Sequence, residues 1–182
     1  EIQAEIERNG FLERETGIGN VLVDIYVKHG LLGEAKRVFN KLPVRDVLAW
    51  NMLITGYVEH RQDEKALECF EEMQFQGVHP SAITYVCCLK ACGILQAIDK
   101  GREIHAEVEK QCLPKRNMVV GNALVDMYIK CGLREKAHCV FDNLQTRDVV
   151  TWTSLISGYA DHGKPEQAIN LFEHMMHENV MP

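Results

Sequence analysis

An internal repeat is the feature that most constrains what this chain can fold into. When the sequence is shifted by 102 residues it matches itself without a gap, and about 35 of the 80 overlapping positions are identical. The matched segments include Gly19-Asn20 with Gly121-Asn122, Arg45-Asp46-Val47 with Arg147-Asp148-Val149, and Trp50 with Trp152. Near-copies at a fixed spacing are typical of repeat proteins, in which each unit stacks on its neighbours.

A shorter repeat lies within the long one. A small residue, Ala or Gly, is followed four residues later by a large side chain, and this pair recurs along the chain. The pairs are Ala35/Phe39, Ala66/Phe70, Gly101/His105, Ala137/Phe141 and Ala168/Phe172, at successive steps of 31, 35, 36 and 31 residues. The long repeat therefore comprises three units of unequal length, used almost twice.

Each unit has the pattern of two helices. Apolar side chains recur at helical spacing over residues 149–160 and again over residues 165–176, with Gly163 between them and Pro165 suited to a first helical turn. One hairpin cannot bury both apolar stripes, so neighbouring hairpins must stack. The sequence therefore predicts an all-α protein of about eleven helices arranged as an α-solenoid. The paired Ala and Phe residues are predicted to be buried between helices.

Composition restricts the possible folds and functions less than the repeat does. The net charge of −6 is unusual for a general nucleic-acid binder, whose affinity comes largely from phosphate contacts, so we expect modest, salt-sensitive binding. No apolar run approaches the roughly 18 residues of a membrane span. The seven Cys form no C-x-x-C pair, which predicts reduced, mostly buried thiols. The chain starts at Glu1 without a recognisable leader, so we expect it to be an interior piece of a longer protein.

Several segments resemble pentatricopeptide (PPR) repeats of the alternating P, L and S kinds found in plants. Residues 149–159, VVTWTSLISGY, resemble the first helix of a P repeat, and residues 122–132, NALVDMYIKCG, resemble an S repeat. Residues 101–106, GREIHA, resemble the second helix of an L repeat. Tetratricopeptide repeats also form helical hairpins, but their Trp/Leu/Gly and Tyr signature is not found. The resemblance implies a right-handed superhelix.

The family's register divides the chain into one uninterrupted array. The predicted repeats are the end of an L repeat (1–15), then S (16–46), P (47–81), L (82–117), S (118–148) and P (149–182). The last repeat lacks its final residue, so both ends are expected to lie inside a longer array.

The resemblance also implies which residues read RNA bases. In the family, the fifth and last residues of a repeat together read one base. Here they are Asn20 with Asp46, Asn51 with Ser81, Val86 with Asn117, and Asn122 with Asp148, followed by an unpaired Thr153. The second residue packs against the base, and these residues are Leu48, Ile83, Val119 and Val150. Gly17 occupies this place in the first S repeat and should hold its base poorly.

The family's code assigns a base to most of these pairs. Asn with Asp implies U, Asn with Ser implies C, and Thr implies a purine, so the predicted preference is U-C-N-U-purine. Hydrogen-bonding chemistry agrees with these assignments. An ionised Asp only accepts hydrogen bonds and suits the N3–H of uracil, whereas a Ser hydroxyl can donate to the bare N3 of cytosine. Val86 can make no hydrogen bond and should discriminate little. The competing interpretation is that the Asn residues merely cap helices or face water.

Other residue patterns are weaker signs of chemistry. His105-Ala-Glu107 has the H-x-E spacing of a zinc deaminase, but no P-C-x-x-C follows and the earlier copy has Gln3 in place of the His. His174 and His177 are spaced by three and are not kept in the other copy. We therefore predict no metal, no cofactor and no catalytic residues. Lys28 and Lys130, at matching places late in the S repeats, suit either phosphate contact or a solvated helix end.

The function that follows from the resemblance is sequence-specific binding of single-stranded RNA, about one base per repeat, without catalysis. Alternating P-L-S arrays resemble plant factors that select RNA editing or processing sites in the mitochondrion or chloroplast. Other organellar editing factors would then be further partners, and a membrane would not be one. The alternative is a solenoid that binds a protein partner. A third outcome is that so few repeats bind RNA weakly on their own.

Overall fold

The structure, a computed structural model, describes residues 16–181, and within them every regular element is a helix. The all-α prediction is therefore confirmed. The helices are α1 (Thr16–Lys28), α2 (Leu32–Asn40), α3 (Val47–Glu59), α4 (Asp63–Phe75), α5 (Ala82–Leu95), α6 (Ile98–Lys110), α7 (Leu113–Arg116), α8 (Met118–Lys130), α9 (Arg134–Asp142), α10 (Val149–Asp161) and α11 (Pro165–His177).

Eleven helices were predicted and the described residues contain eleven, but the two sets differ. The end of an L repeat was predicted in residues 1–15, which lie outside the described residues. The prediction did not include α7, a single turn of four residues that starts with Leu113-Pro114. None of the helices from residue 16 to residue 181 is long and apolar enough to cross a membrane.

The chain divides into two compact units between residues 87 and 88, within α5. In the first unit, α1 packs against α2 and α3, and α3 packs against α4. The edge of the Phe39 ring meets Trp50 at a centroid distance of 4.6 Å, and Phe70 meets Tyr85 at 6.2 Å. A Cβ on Gly56 would lie 2.5 Å from Val27 Cγ1, so only a glycine allows α1 and α3 to approach this closely.

The second unit repeats this packing with its own residues. Helix α8 packs against α9 and α10, and α10 packs against α11. Phe141 and Trp152 meet at 4.6 Å, as their counterparts do in the first unit. Gly158 matches Gly56, since a Cβ there would clash with Ile129. The long sequence repeat is therefore a repeat of interhelical contacts.

The predicted burial of the paired Ala and Phe residues is confirmed for three pairs and fails in part for the fourth. Phe39, Phe70 and Phe141, with their preceding Ala residues, are buried, whereas His105 is half-buried. Phe172 is 43% exposed, because α11 buries its Ala168, Leu171 and Met175 side instead. The prediction that Phe172 is buried is therefore wrong.

An Arg-Asp dipeptide fixes the junction between hairpins in both units. Arg147 donates from its guanidinium to the carbonyls of Phe141 and Asp142, which lie at the end of α9, and its guanidinium lies over the Phe141 ring. Asp148 then accepts from the backbone amide of Thr151 at 2.8 Å and caps the start of α10. The same arrangement of Arg45 and Asp46 precedes α3. Each Asp is thereby placed at the beginning of a helix.

Candidate nucleic-acid interface

Four aliphatic side chains at the second position of a helix are more than half exposed. They are the predicted base-packing residues Leu48, Ile83, Val119 and Val150, which are 52%, 59%, 58% and 56% exposed. Each is the second residue of its helix, in α3, α5, α8 and α10 respectively. A flat apolar ligand could therefore contact each of them. At the corresponding position of α1, Gly17 offers no side chain, and a Cβ there would meet nothing within 4 Å.

In the second unit, Asn122 and Asp148 are brought together from two helices and an N-cap. The Nδ2 of Asn122, on α8, lies 3.1 and 3.2 Å from the two carboxylate oxygens of Asp148. Thr151, the third residue of α10, completes the cluster, because its hydroxyl lies 2.5 Å from Asn122 Oδ1 and 2.7 Å from Asp148 Oδ1. Asn122 therefore neither caps a helix nor merely faces water.

The carboxyl of Asp148 is held in its ionised form. Partial burial acts to raise its pKa, but hydrogen bonds from the amide and hydroxyl of Thr151 and from Asn122 outweigh this effect and lower the pKa below its ordinary 3.8. An ionised carboxylate only accepts hydrogen bonds. At neutral pH the cluster therefore presents acceptor oxygens at Asp148 and a donor at the Asn122 amide.

Asn51, Ser81 and Thr84 form the equivalent cluster in the first unit. Asn51 Nδ2 donates to Ser81 Oγ at 2.9 Å, the hydroxyls of Ser81 and Thr84 are 3.0 Å apart, and the Thr84 hydroxyl donates to Asn51 Oδ1 at 2.5 Å. The three side chains thus close a ring of hydrogen bonds, in which each bond polarises the next. In place of a carboxylate, this cluster carries the Ser81 hydroxyl, whose proton is directed to Thr84 within the ring and must turn outward to donate to a base.

The pair predicted for the first S repeat is built differently. Asn20 is 8% exposed, and its Oδ1 is a buried acceptor without a hydrogen-bond partner in the described part of the chain. Asp46 caps α3 by accepting from Ala49 N at 2.9 Å. Ala49 occupies the place that Thr151 has in the second unit, and it carries no hydroxyl. Over residues 16–181, no hydrogen bond joins Asn20 to Asp46.

The remaining predicted residues are not assembled into such clusters. Asn117 accepts from the amides of Val119 and Val120 and so caps α8. Val86, which is predicted to pair with Asn117, is half-buried in α5 and belongs to the first compact unit, whereas Asn117 belongs to the second. The Thr153 hydroxyl donates to the Val149 carbonyl, one turn back in its own helix, at 2.7 Å.

Sequence reasoning overlooked Thr84 and Thr151, which are both fully buried although polar. Asp148 lies three residues before Thr151, and the pair forms a capping box, a spacing that can be read from sequence. The bond from each Thr to an Asn in an earlier helix depends on how the helices pack, and no local spacing reveals it.

The residues with weaker sequence signs of chemistry make contacts within the fold. His105 Nδ1 lies 2.8 Å from the Tyr128 hydroxyl, and burial lowers its pKa although Glu109 acts to raise it. Within residues 16–181, no group of three His, Cys, Asp or Glu residues could hold a metal ion. Lys28 and Lys130 form ion pairs with the Asp one turn earlier, at 2.6 and 2.7 Å. Cys87, Cys88 and Cys92 are buried, as predicted.

Stacked helical hairpins, two of which carry the same kind of polar cluster, define a helical-repeat protein. Family models agree: the model described as "PPR repeat family" matches residues 45–93 and 147–182, and the model described as "PPR repeat" matches residues 20–47 and 122–149. The chain therefore belongs to the pentatricopeptide-repeat family.

Curated relatives and solved structures are consistent with this assignment. A pentatricopeptide repeat-containing protein of Arabidopsis thaliana is 38% identical over 90% of this chain, which covers 20% of that protein. The A. thaliana pentatricopeptide repeat-containing protein DOT4, chloroplastic, is 40% identical over 97% of this chain and is covered to 20%. The chain thus spans about a fifth of the length of these relatives.

Among solved structures, the crystal structure of the pentatricopeptide repeat protein PPR10 from maize superposes with a TM-score of 0.77 at 21% identity, over 98% of this chain and 26% of that one. The structure of PPR10 with an 18-nt psaJ RNA element gives a TM-score of 0.73, also at 21% identity, and covers 98% of this chain and 27% of PPR10. This similarity confirms the fold.

Proposed function

We propose that this chain binds single-stranded RNA at about one base per repeat, as the recognition part of an organellar RNA editing or processing factor. The repeats would be those that begin at residues 16, 47, 82, 118 and 149. In each, the side chains that meet RNA lie at the start of the first helix and at the end of the repeat. The support from comparison is that PPR10, which shares this fold, is seen with an RNA element bound.

The observation that carries the proposal is that an Asn in each unit contacts the last residue of its own repeat. These last residues differ in chemistry between the two units. Asn122 contacts the carboxylate of Asp148, and Asn51 contacts the hydroxyl of Ser81. A carboxylate can accept from uracil N3–H but repels the lone pair of cytosine N3. A hydroxyl can donate to cytosine N3. The two clusters thereby differ in a property that separates the two pyrimidines at N3.

The exposed aliphatic residues supply a contact with the base that does not depend on the RNA sequence. Val150 lies two residues from Asp148, and Leu48 lies three residues from Asn51, so an apolar side chain is available beside each polar cluster. A base stacked on such a side chain removes apolar area from water while its edge faces the cluster. An exposed apolar residue beside a half-buried polar one gives a base both a packing surface and a hydrogen-bonding partner.

The proposed preference, read 5′ to 3′ from the S repeat at residue 16, is U-C-N-U-purine. Val86 leaves the third base unread, and Thr153 reads the fifth. The chain itself is proposed to be non-catalytic, so any editing chemistry would belong to other parts of the protein or to other organellar factors. Relatives described as chloroplastic support a plastid or mitochondrial setting.

A competition assay at about 0.1 M salt tests this proposal. A labelled oligonucleotide carrying U-C-A-U-A competes with variants that have U in place of the C at the second base. Wild type should favour C, and Ser81→Asp should shift the preference towards U, each good base contact being worth at most about 1–3 kcal/mol. Equal binding of both variants by the wild type, or binding of a peptide but not RNA, would refute the proposal.

A further inference from the structure

Thr84 and Thr151 occupy the same place in two units, and neither belongs to the proposed base-reading pairs. Each is the third residue of a first helix, and each is completely buried. Each places its hydroxyl 2.5 Å from the amide oxygen of an Asn on the preceding first helix. A buried hydroxyl aimed at the reading residue of another helix calls for an explanation beyond capping its own helix.

The hydrogen-bond partners indicate which way round each Asn amide points. An O–H···O hydrogen bond is ordinarily shorter than an N–H···O bond. In the structure the Thr hydroxyls donate to Oδ1 at 2.5 Å, and Asn51 Nδ2 donates to Ser81 Oγ at 2.9 Å. At Asn122 the carboxylate of Asp148 can only accept, so Nδ2 must face it. The Thr hydroxyl thus holds the one orientation in which the amide donates to the last residue of the repeat.

The reading pair of the first S repeat has no threonine hydroxyl beside it. Ala49 stands where Thr151 stands in the second copy, although the surrounding Trp50 and Phe39 match Trp152 and Phe141. There the amide oxygen of Asn20 is buried without a partner in the described residues. The two Asn residues that accept from a Thr contact the last residue of their repeat, whereas Asn20, for which Ala49 stands in the place of the Thr, does not.

We infer that the threonine at the third position of a repeat is a positioning residue for the base-reading pair of the preceding repeat. It anchors the Asn amide, and the Asn in turn holds the last residue at the angle from which a base edge is read. Thr151 acts in this way on Asn122 and Asp148, and Thr84 acts on Asn51 and Ser81. The first repeat is followed by a repeat that has Ala49 at its third position, so it reads its uracil less stringently. This inference rests on the proposed function.

Two reciprocal substitutions test the inference on the complete chain. The probe is an oligonucleotide carrying U-C-A-U-A, compared with variants that have C at the first or at the fourth base. Thr151→Val keeps the shape but removes the hydroxyl, and it should lower the U-over-C ratio at the fourth base about three- to tenfold, the range of one net hydrogen bond. Ala49→Thr should raise the ratio at the first base by a similar factor.

Controls separate positioning from folding. Thr151→Ser retains the hydroxyl and should keep the wild-type ratio at the fourth base. In both test variants the C-over-U ratio at the second base, read by Asn51 and Ser81, should stay unchanged, because that cluster lies outside the altered ones. Thermal melts establish that each variant is folded. A merely structural role would weaken binding to all oligonucleotides alike.

The outcomes distinguish the two hypotheses. If wild type discriminates at the fourth base and folded Thr151→Val discriminates equally well, the positioning role is refuted and the proposed function stands. An equal change in the ratios at every base, or a failure of Thr151→Ser to preserve the ratio, also refutes the positioning role. If wild type distinguishes no base at any position, the proposed function fails and the inference fails with it.

Discussion

Substitution of Gly17 is the most direct way to add a base-packing side chain to this chain. Its place at the start of α1 corresponds to that of Leu48, Val119 and Val150, and a Cβ there would meet nothing within 4 Å. Gly17→Val should therefore be accommodated without strain and should present the aliphatic surface that the other repeats already present. In a helix, Val is no worse than Gly in intrinsic propensity, so stability should change by only a few tenths of a kcal/mol.

The magnitude follows from the exposure of the existing residues. Val119 and Val150 are 58% and 56% exposed, so about half of such a side chain is available to a base. Full burial of a Val side chain contributes about 1.5 kcal/mol or slightly more, and half of it gives about 0.8 kcal/mol, or roughly a fourfold gain in affinity. The gain should be the same for all four bases at the first position, because an aliphatic contact reads no hydrogen-bonding pattern.

The assay is competition among four oligonucleotides that differ only at the first base. The control is Gly33→Val, which adds the same side chain in equally open space but on the second helix of the same hairpin. Gly17→Val should tighten binding to all four oligonucleotides, and Gly33→Val should leave affinity unchanged. If Gly17→Val has no effect, or if both variants gain equally, the second residue of the repeat does not contact the base.

Three further predictions concern stability and pH. Phe70→Ala should lower the free energy of unfolding by about 3–5 kcal/mol in a denaturant titration because Phe70 is buried, whereas Phe172→Ala, at a 43% exposed site, should cost less than half as much. Arg61→Gly should raise stability by about 1 kcal/mol, since Arg61 has a φ of 60° where its counterpart Gly163 has 70°; an unchanged melting temperature would contradict this. The depressed pKa of Asp148 means that its contribution is complete above the ordinary carboxyl pKa and is lost as pH falls through the lowered value. The U-over-C ratio at the fourth base should therefore be the same at about pH 7 and about pH 5, and a loss of the ratio over that range would show that another group titrates.

The parts of the fold that sequence reasoning predicted are those set by local spacing. The apolar stripe of residues 149–160 is helix α10, Pro165 is the first residue of α11, and Gly163 adopts the positive φ of a helix end. The pairing of Lys28 with Asp24 could also have been read from sequence, since residues four apart share a helix face.

The parts that it missed depend on contacts between helices. Thr151 has an ordinary capping spacing to Asp148, and only the packing of α8 against α10 brings it to Asn122. The unpartnered oxygen of Asn20 likewise follows from a single difference, Ala49, on another helix. Periodicity locates the face of a helix but does not say which side chains of two faces will meet.

The last residue of a repeat has two functions in the proposed scheme, and the first restricts the second. Asp46, Asn117 and Asp148 each accept backbone amide hydrogen bonds at the start of the following helix, and Ser81 Oγ accepts from Thr84 N at 3.3 Å. Asp, Asn and Ser are also the residues that best cap helices, and replacing such a cap by Ala costs about 1 kcal/mol. A residue that reads a base from this position must therefore also stabilise the helix that follows it. Because capping selects for short side chains with an acceptor oxygen, the residues that can distinguish uracil from cytosine here are drawn from the small set that the fold already requires.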